Sequence, residues 1–275
     1  MTIALFGIDG SGKSTLGERI RARSAENVGL MSCPRYHHTP GSPRAELSAT
    51  LDRMNGTGDA LGSVEWKMIA VYLQLCLYGT VRDALFAAGP KRIVSERHPL
   101  VDALVYGPYF SERIARNLGA DELRERFFPA LEKAEPGAEK RVRDFVAEEN
   151  RRIGRDLTVG ELPLYLKSLF GGSPDEMLAE LPRHFGTPMP DVAVFLDVSV
   201  GTALARIRAR GNPAELHENE AGLEKLRAGY LRAFGWLATN RPNLRQVKIS
   251  VETDGKAREP DSIADEILAL GKETR

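Results

Sequence analysis

A short glycine-rich segment near the start of the chain combines the residue types that bind phosphate. Gly7, Gly12, Lys13 and Ser14 fit the pattern G-x-x-x-x-G-K-[ST]. Glycines permit a tight turn whose amides converge on an anion, the lysine reaches terminal phosphates, and the serine hydroxyl can hold Mg²⁺. The pattern predicts a loop that binds a nucleoside triphosphate. Its predicted contacts are Gly7, Asp9, Gly10, Ser11, Gly12, Lys13, Ser14 and Thr15.

Two further charged residues follow a later apolar run at 92–95. Glu96 can orient Mg²⁺ and its waters together with Ser14. Arg97 can hold the phosphate of a second substrate through two hydrogen bonds. Asp9, inside the first loop, can face that substrate. A structural ion pair at the end of a strand is the alternative interpretation.

Arginines recur at alternate positions before a Gly-Asn-Pro segment at 211–213. Such a loop can close over a nucleotide and bring guanidinium groups to the transferring phosphoryl group. Arg206 and Arg210, spaced i,i+4, are predicted to face inward. The alternative is a solvated basic helix end, which the helix dipole favours.

Elements that would position these residues alternate between strands and helices, which is typical of an α/β fold with a parallel sheet. Ligands of such sheets bind beyond the carboxyl ends of the strands. The predicted strands are 3–6, 28–32, 92–95, 192–197 and 246–251. The predicted helices are 14–26, 43–54, 64–88, 201–209, 220–239 and 261–270.

Residues 109–188 interrupt this alternation with a helical insertion between the third and fourth strands. The segments 121–132, 138–153 and 159–170 read as amphipathic helices, and no strand pattern is evident. We therefore expect a single domain over 1–275, with this insertion and an arginine-rich lid at about 206–220.

Composition favours a cytoplasmic protein. The 275 residues contain 38 basic and 38 acidic side chains, so the charge excess of a general nucleic-acid binder is missing. The two cysteines, Cys33 and Cys76, are too few for a disulfide framework, which fits a reducing compartment. Both are predicted to be packing residues. The most apolar helical stretch, 68–78, is too short to span a bilayer. We expect no membrane partner and no sequence-specific nucleic acid.

The segments 6–15, 94–97, 194–197 and 205–231, in this order, resemble the thymidylate kinase family of nucleoside monophosphate kinases. The resemblance implies a five-stranded parallel sheet, ATP and Mg²⁺ as cofactors, and phosphoryl transfer to a dTMP-like acceptor. It implies that Asp9 lies near the acceptor's sugar, that Arg97 lies near its phosphate, and that the protein is a homodimer.

Two segments depart from the family pattern. The run after the second strand contains Arg35, which can serve the acceptor phosphate, followed by His37 and His38 in place of small residues. Adjacent imidazoles without further ligands favour a substrate-loop role over a metal site. Glu96-Arg97 also resembles the deoxynucleoside kinases, whose base-reading glutamine is placed similarly to Gln74. A packed glutamine in an apolar helix is the alternative.

Three functions therefore remain open. The first is a nucleoside monophosphate kinase, in which positioning and charge carry catalysis because the acceptor is already a phosphate oxygen. The second is a deoxynucleoside kinase, in which Glu96 or Asp9 would activate a hydroxyl. The third is a non-catalytic nucleotide sensor whose insertion binds a protein.

Overall fold

Five short strands form one parallel sheet in the computed structural model of the protein, which describes residues 1–24, 27–209, 218–253 and 256–270. The strand order is β2-β3-β1-β4-β5, and every pair is parallel. The central strand β1 is buried throughout, as helices on both faces require. The predicted five-stranded α/β fold is confirmed. The strands are β1 (Thr2–Phe6), β2 (Val28–Met31), β3 (Arg92–Ser95), β4 (Val192–Asp197) and β5 (Arg245–Ser250).

The chain divides into two compact units. The first comprises Met1–Cys33, Arg82–Val105 and Met189–Arg275, and the second comprises Pro34–Val81 and Tyr106–Pro188. The first unit holds the sheet and a two-residue antiparallel pair, β6 (Glu252–Thr253) with β7 (Lys256–Ala257). Its helices are α1 (Lys13–Ser24), α11 (Val200–Ala209), α12 (Glu220–Asn240) and α13 (Pro260–Leu270).

The second unit is helical, and it contains the whole of the predicted insertion. Across 96–191, all of which the structure describes, no strand forms. A π-helical segment, Leu123–Phe127, joins α6 to α7. The helices are α2 (Ala45–Leu61), α3 (Val64–Cys76), α6 (Ala120–Glu122), α7 (Phe128–Ala134), α8 (Ala138–Ile153), α9 (Leu162–Phe170) and α10 (Pro174–Phe185); α4 (Tyr78–Ala87) and α5 (Pro99–Ser111) cross the division between the units.

Helix α2 is longer than predicted, and Gly58 is the reason. The helix predicted at 43–54 stops before the Asn-Gly and Thr-Gly pairs at 55–58. In the structure α2 continues to Leu61 and ends on Gly62, which is left-handed at φ +63°. A Cβ on Gly58 would lie 3.0 Å from backbone atoms of Lys67, so glycine allows α2 and α3 to pack closely. Tertiary packing overrides local propensity here.

The core of the second unit is aromatic. Trp66 on α3 is fully buried, stacks on Phe127 with ring centroids 4.9 Å apart, and meets Phe128 edge-on at 5.2 Å. Such pairs add about 0.5–1.5 kcal/mol beyond the burial of their area. The insertion therefore supplies core side chains to α3.

The apolar run that contains α3 and α4 is longer than the 68–78 stretch singled out in the sequence. It extends over Val64–Ala87, 24 residues whose most apolar 18-residue window has a mean hydropathy of 1.2, and is long and apolar enough to cross a membrane by length and composition alone. Of its most apolar window, 56% is buried within the protein. A core helix of a soluble protein passes the same test, so the run is weak evidence for a membrane span.

Candidate phosphate-binding and phosphoryl-transfer site

The loop between β1 and α1 lies at the carboxyl end of the central strand, and it is made of glycines where the backbone requires them. Gly7 has φ +148° and Gly10 has φ +79°. A Cβ on Gly7 would lie 2.5 Å from the carbonyl oxygen of Leu196, and one on Gly10 would lie 2.5 Å from that of Ala203. The loop is therefore fixed against β4 and α11. Helix α1 begins at Lys13, so its positive dipole end points to the same place.

Gly10→Ala is expected to lower the free energy of unfolding by about 2–3 kcal/mol, because it combines backbone strain with a clash against α11. Urea denaturation followed by circular dichroism measures the change. Gly56→Ala is the matched control, because Gly56 lies in α2 with nothing within 4 Å of the added Cβ. That control should gain about 0.5–1 kcal/mol. Equal stabilities for the two variants would contradict the close approach.

Lys13 is buried with its ammonium turned onto the loop. Its Nζ donates to the carbonyl oxygens of Gly7 at 2.8 Å and Ile8 at 2.9 Å, and to Oγ of Ser11 at 3.3 Å. Burial lowers the pKa of Lys13 to about 8, and the nearby positive charge of Arg97 contributes to the fall. A triphosphate would offer this ammonium the charge that its present carbonyl partners lack.

Ser14 and Glu96, both predicted to serve a metal, are brought together by the fold. Oγ of Ser14 donates to Oε2 of Glu96 at 2.9 Å, and Oγ of Ser32 donates to Oε1 at 3.3 Å. A hydroxyl and a carboxylate are hard oxygen ligands of the kind that Mg²⁺ accepts alongside phosphate and water. No cluster of three or more His, Cys, Asp or Glu suited to a metal occurs among the described residues. Thr15 follows, exposed, on the first turn of α1.

Arg97 is held between carboxylates beside the loop. Its NH2 donates to Oδ1 of Asp9 at 2.5 Å, and its NH1 lies 3.3 Å from Oδ2 of Asp102 and 3.3 Å from the hydroxyl of Tyr230. That hydroxyl donates to Oδ1 of Asp102 at 2.7 Å. The side chain of Arg97 is 16% exposed. The arginine predicted at the site is therefore next to Asp9, and to bind a phosphate it would exchange a carboxylate for it.

Arg206, on α11, also reaches the loop. Its NH1 donates to the carbonyl oxygen of Gly10 at 3.1 Å, and the same atom would lie 3.9 Å from a Cβ on Gly12. This agrees with the inward orientation predicted for Arg206, while Arg208 is exposed. Arg210 and 211–217 of the predicted lid lie outside the described residues.

A three-residue ion cluster ties α12 to the strand ends. Asp197, at the end of β4, accepts from Nε and NH2 of Arg227 at 2.8 and 3.1 Å and pairs with Nζ of Lys248 at 2.9 Å. Burial opposes ionisation of Asp197, but the hydrogen bonds from Arg227 and Lys248 outweigh it and lower the pKa.

A cavity of about 540 Å³ lies beside the cluster. Asp197 and Arg227 line it together with Ser199 and Glu252. Glu252 accepts from the amide of Ser199 at 3.1 Å and so caps α11.

The predicted acceptor-binding residues Arg35 and Gln74 meet within the second unit. Nε of Arg35 donates to Oδ1 of Asp52 at 3.0 Å, and Nε2 of Gln74 lies 3.5 Å from the same oxygen. His37 lies with Nδ1 3.2 Å from Oγ of Ser48 and Nε2 3.9 Å from Asp52. Burial and His38 lower the pKa of His37.

Cys33 and Cys76 are buried, and burial raises the pKa of Cys76.

Sequence reasoning missed three residues of these clusters: Asp52, Asp102 and Lys248. Asp102 follows Arg97 by five residues in the first turn of α5, so an acid just after Glu-Arg was an available signal. Asp52 lies on α2 and Lys248 on β5, and only the fold brings them to their partners.

Comparison with known proteins gives few matches in sequence. No protein-family model matches the chain. A thymidylate kinase from Xanthomonas euvesicatoria pv. vesicatoria (strain 85-10) is 24% identical over 270 residues, which cover 98% of this chain and 85% of that relative.

Solved structures of deoxyadenosine kinase from M. mycoides match almost the whole chain. The complex with the products dCMP and a flexible dCDP has a TM-score of 0.48 at 14% identity, with 99% of each chain covered. The complex with dATP has a TM-score of 0.44 at 15% identity, covering 99% of this chain and 100% of the other.

The fold and the loop together define an α/β protein in which a glycine-rich loop, with the sequence pattern of phosphate-binding loops, lies at the carboxyl edge of a parallel sheet. Among named proteins, the chain is similar to nucleotide kinases.

Proposed function

We propose that the protein is an ATP- and Mg²⁺-dependent kinase that transfers a phosphoryl group to a nucleoside monophosphate. The observation that carries the proposal is the convergence of Lys13, Arg97 and Arg206 on one glycine loop from three different elements. Catalysis of phosphoryl transfer depends mainly on positively charged protein groups at three places: beside the phosphate donor, beside the acceptor and beside the phosphoryl group in transfer. A sensor that only binds nucleotide needs a single such group.

Each group then has a role. Lys13 and the loop amides hold the β- and γ-phosphates of ATP. Ser14 and Glu96 hold Mg²⁺, which supplies charge neutralisation when bound. Arg97 holds the acceptor's phosphate, with Asp9 and Asp102 fixing the direction of its guanidinium. Arg206, with Arg210 of the lid, complements the charge of the transition state.

Identification of products tests this assignment. The full chain is incubated with ATP-Mg²⁺ and each of the common deoxynucleosides and their monophosphates, beginning with dTMP, the acceptor that the family resemblance implies. The proposal expects ADP together with a nucleoside diphosphate. ADP with a monophosphate, formed only from nucleosides, would establish the deoxynucleoside kinase instead. Tight ATP binding without ADP from any acceptor would establish the sensor.

The deoxynucleoside kinase remains the second candidate because of Glu96. Its carboxylate lies at the loop serine, 2.9 Å from Oγ of Ser14, where a general base for a hydroxyl acceptor could also act.

Binding of ATP is expected to take up protons above pH 8. The pKa of Lys13 is about 8 without nucleotide, and a polyphosphate beside the ammonium raises it. The bound state therefore holds more protons between these two pKa values, so affinity falls as the pH rises through about 8. Calorimetric titration at about pH 8.5 in buffers of different ionisation enthalpy measures the uptake. Lys13→Met should show none; equal uptake by both proteins would contradict the assignment.

We further propose a cytoplasmic homodimer, on the composition and the family resemblance given above. Light scattering after size exclusion distinguishes the 30.3 kDa chain from twice that mass.

A further inference from the structure

Arg44 has a backbone conformation that is unfavourable for arginine. Its φ is +58° and its ψ is +31°, and it is the one residue other than glycine with a positive φ among the described residues. It is also the N-cap of α2, where its side chain caps no amide of the helix. Left-handed positions suit glycine or asparagine, and N-cap positions suit small residues with a side-chain oxygen. Contacts that the Arg44 side chain makes elsewhere must therefore hold this conformation.

Those contacts are with α8 of the insertion. NH1 of Arg44 donates to Oε2 of Glu148 at 2.8 Å, and NH2 donates to Oε1 at 2.6 Å. Cζ of Arg44 lies 5.7 Å from the ring centroid of Phe145, three residues before Glu148 on the same face of α8. The hydrogen bonds from Arg44 lower the pKa of Glu148, which keeps the carboxylate ionised. Two parallel hydrogen bonds fix the direction of a guanidinium, so the three residues, here called the Arg44 cluster, attach the start of α2 to α8.

A second attachment joins the middle of α2 to the start of α8. Thr50 is fully buried on α2, with its Oγ1 2.9 Å from Oε1 of Glu135 and accepting from Nε of Arg141 at 3.1 Å. NH1 of Arg141 also pairs with Oε1 of Glu46 at 3.3 Å. Arg141 lies in the first turn of α8, and Glu135 is the C-cap of α7. Helix α2 is therefore attached to the insertion at two places along its length.

Helix α2 in turn holds the segment 35–38, which contains the predicted acceptor ligand Arg35. The amide of His37 donates to Oγ of Ser48 at 3.2 Å, and Ser48 is fully buried. Nε of Arg35 donates to Oδ1 of Asp52 at 3.0 Å. The Arg35 side chain is 49% exposed, so a phosphate can reach its guanidinium. The position of Arg35 depends on α2, and the position of α2 depends on the insertion.

We propose that the helical insertion holds the segment 35–38 ready for the acceptor's phosphate, and that Arg44 is the positioning residue through which it does so. The inference rests on the proposed function for the statement that Arg35 binds that phosphate. A segment that is already in its binding conformation loses less entropy when the ligand binds. An exposed ion pair usually contributes little, but the Arg44 cluster fixes a residue that its own backbone disfavours, at the point where the segment meets α2.

Glu148→Ala breaks the Arg44 cluster from α8 and leaves the sequence of the segment unchanged. The variant should fold, because the Glu148 side chain is 42% exposed. We follow hydrogen exchange of the full chain without nucleotide by mass spectrometry, and amides of 37–48 should exchange at least about 5-fold faster than in the wild type. Asp144→Ala is the matched control, since Asp144 pairs with Lys140 on α8 itself. It should leave the exchange of 37–48 at the wild-type rate.

Calorimetric titration with dTMP, dCMP, dAMP and dGMP reads the effect on acceptor binding. In Glu148→Ala the affinity should fall about 5-fold, by a similar factor for each base, because the effect acts on the phosphate through Arg35. The affinity for ATP should change by less than about 2-fold, because the predicted ATP contacts lie in the first unit. Arg44→Gly keeps the left-handed backbone but removes the guanidinium, so it should lower the same affinity. Adding Glu148→Ala to it should then have no further effect.

Four outcomes would overturn the proposal. They are unchanged exchange of 37–48 in Glu148→Ala, faster exchange with unchanged affinity for the monophosphates, equal losses of affinity for ATP and the monophosphates, and a wild-type protein that binds none of the four monophosphates. The third would show that the Arg44 cluster only stabilises the fold. Transfer to a monophosphate whose affinity does not depend on Glu148 would refute this inference and leave the proposed function standing. Monophosphate binding that depends on Glu148, without transfer to any acceptor, would do the reverse.

Discussion

Lys13→Ala should abolish phosphoryl transfer, with a loss of about 10³-fold or more in kcat/KM. Lys13 is the cation that the fold places inside the glycine loop, 2.8 Å from the carbonyl oxygen of Gly7. Without it, the β- and γ-phosphates of ATP would lose the one ammonium that lies inside the loop, and amide dipoles, Mg²⁺ and Arg206 at the loop's rim would have to meet their charge alone. A coupled assay of ADP release measures the loss.

The variant should still fold, because the removed ammonium is itself costly to bury, as its lowered pKa shows. Far-ultraviolet circular dichroism should retain the wild-type spectrum. Lys140→Ala is the matched control, since that lysine is 81% exposed on α8. Near wild-type activity in Lys13→Ala would refute the kinase assignment, and lost activity in the control would show that the assay responds to something else.

Glu96→Gln is expected to lower transfer to a monophosphate by about 10²-fold at low Mg²⁺, with most of the loss recovered as Mg²⁺ is raised. The amide of glutamine can accept from one of the two hydroxyls, Ser14 or Ser32, and donate to the other, so the local structure is kept while the negative charge is lost. A higher Mg²⁺ concentration refills a site that binds the metal more weakly, by mass action. Initial rates over a Mg²⁺ titration give the measurement.

The same variant separates the two enzymatic candidates. If Glu96 were the base for a hydroxyl acceptor, the loss would be about 10²–10⁴-fold, Mg²⁺ would not restore it, and the acidic limb of the pH profile would disappear. Glu180→Gln, at an exposed pair with Arg183 on α10, controls for a general effect of losing a carboxylate. Unchanged activity in Glu96→Gln would exclude both roles.

Strands β1 to β4 were predictable because each is short, mainly apolar and followed by a residue of a different character, whereas β5 carries Arg245, Gln246 and Lys248 among its apolar residues. The predicted 92–95 and 192–197 coincide with β3 and β4; the predictions for β1 and β2 differ by one residue at one end, and that for β5 by one residue at each end. The glycine loop was predictable for the same local reason, since its sequence specifies its own backbone. The i,i+4 spacing of Arg206 and Arg210 predicted that both face inward, but it did not predict the hydrogen bond from Arg206 to the loop carbonyl of Gly10.

Contacts between distant segments were not predictable in this way. The continuation of α2 through 55–58 depends on how closely α3 approaches Gly58. The pairing of Arg35 with Asp52 depends on α2 lying beside that arginine. Helix α10 lay within the predicted insertion without being singled out, although Ser173 and Glu176 form a capping box that signals its start.

Two facing glycines in the second unit have a consequence for shortening the chain. Gly79 on α4 lies so close to Gly186 that a Cβ on Gly79 would be 2.5 Å from its carbonyl oxygen. The end of the insertion therefore presses backbone to backbone on a helix encoded far upstream, while its aromatic residues cover Trp66. Excising 109–188 would expose Trp66 to water and would uncover the surface of α4 at Gly79. A natural or engineered minimal version of this protein would need a rewritten α3–α4 surface as well as a deletion.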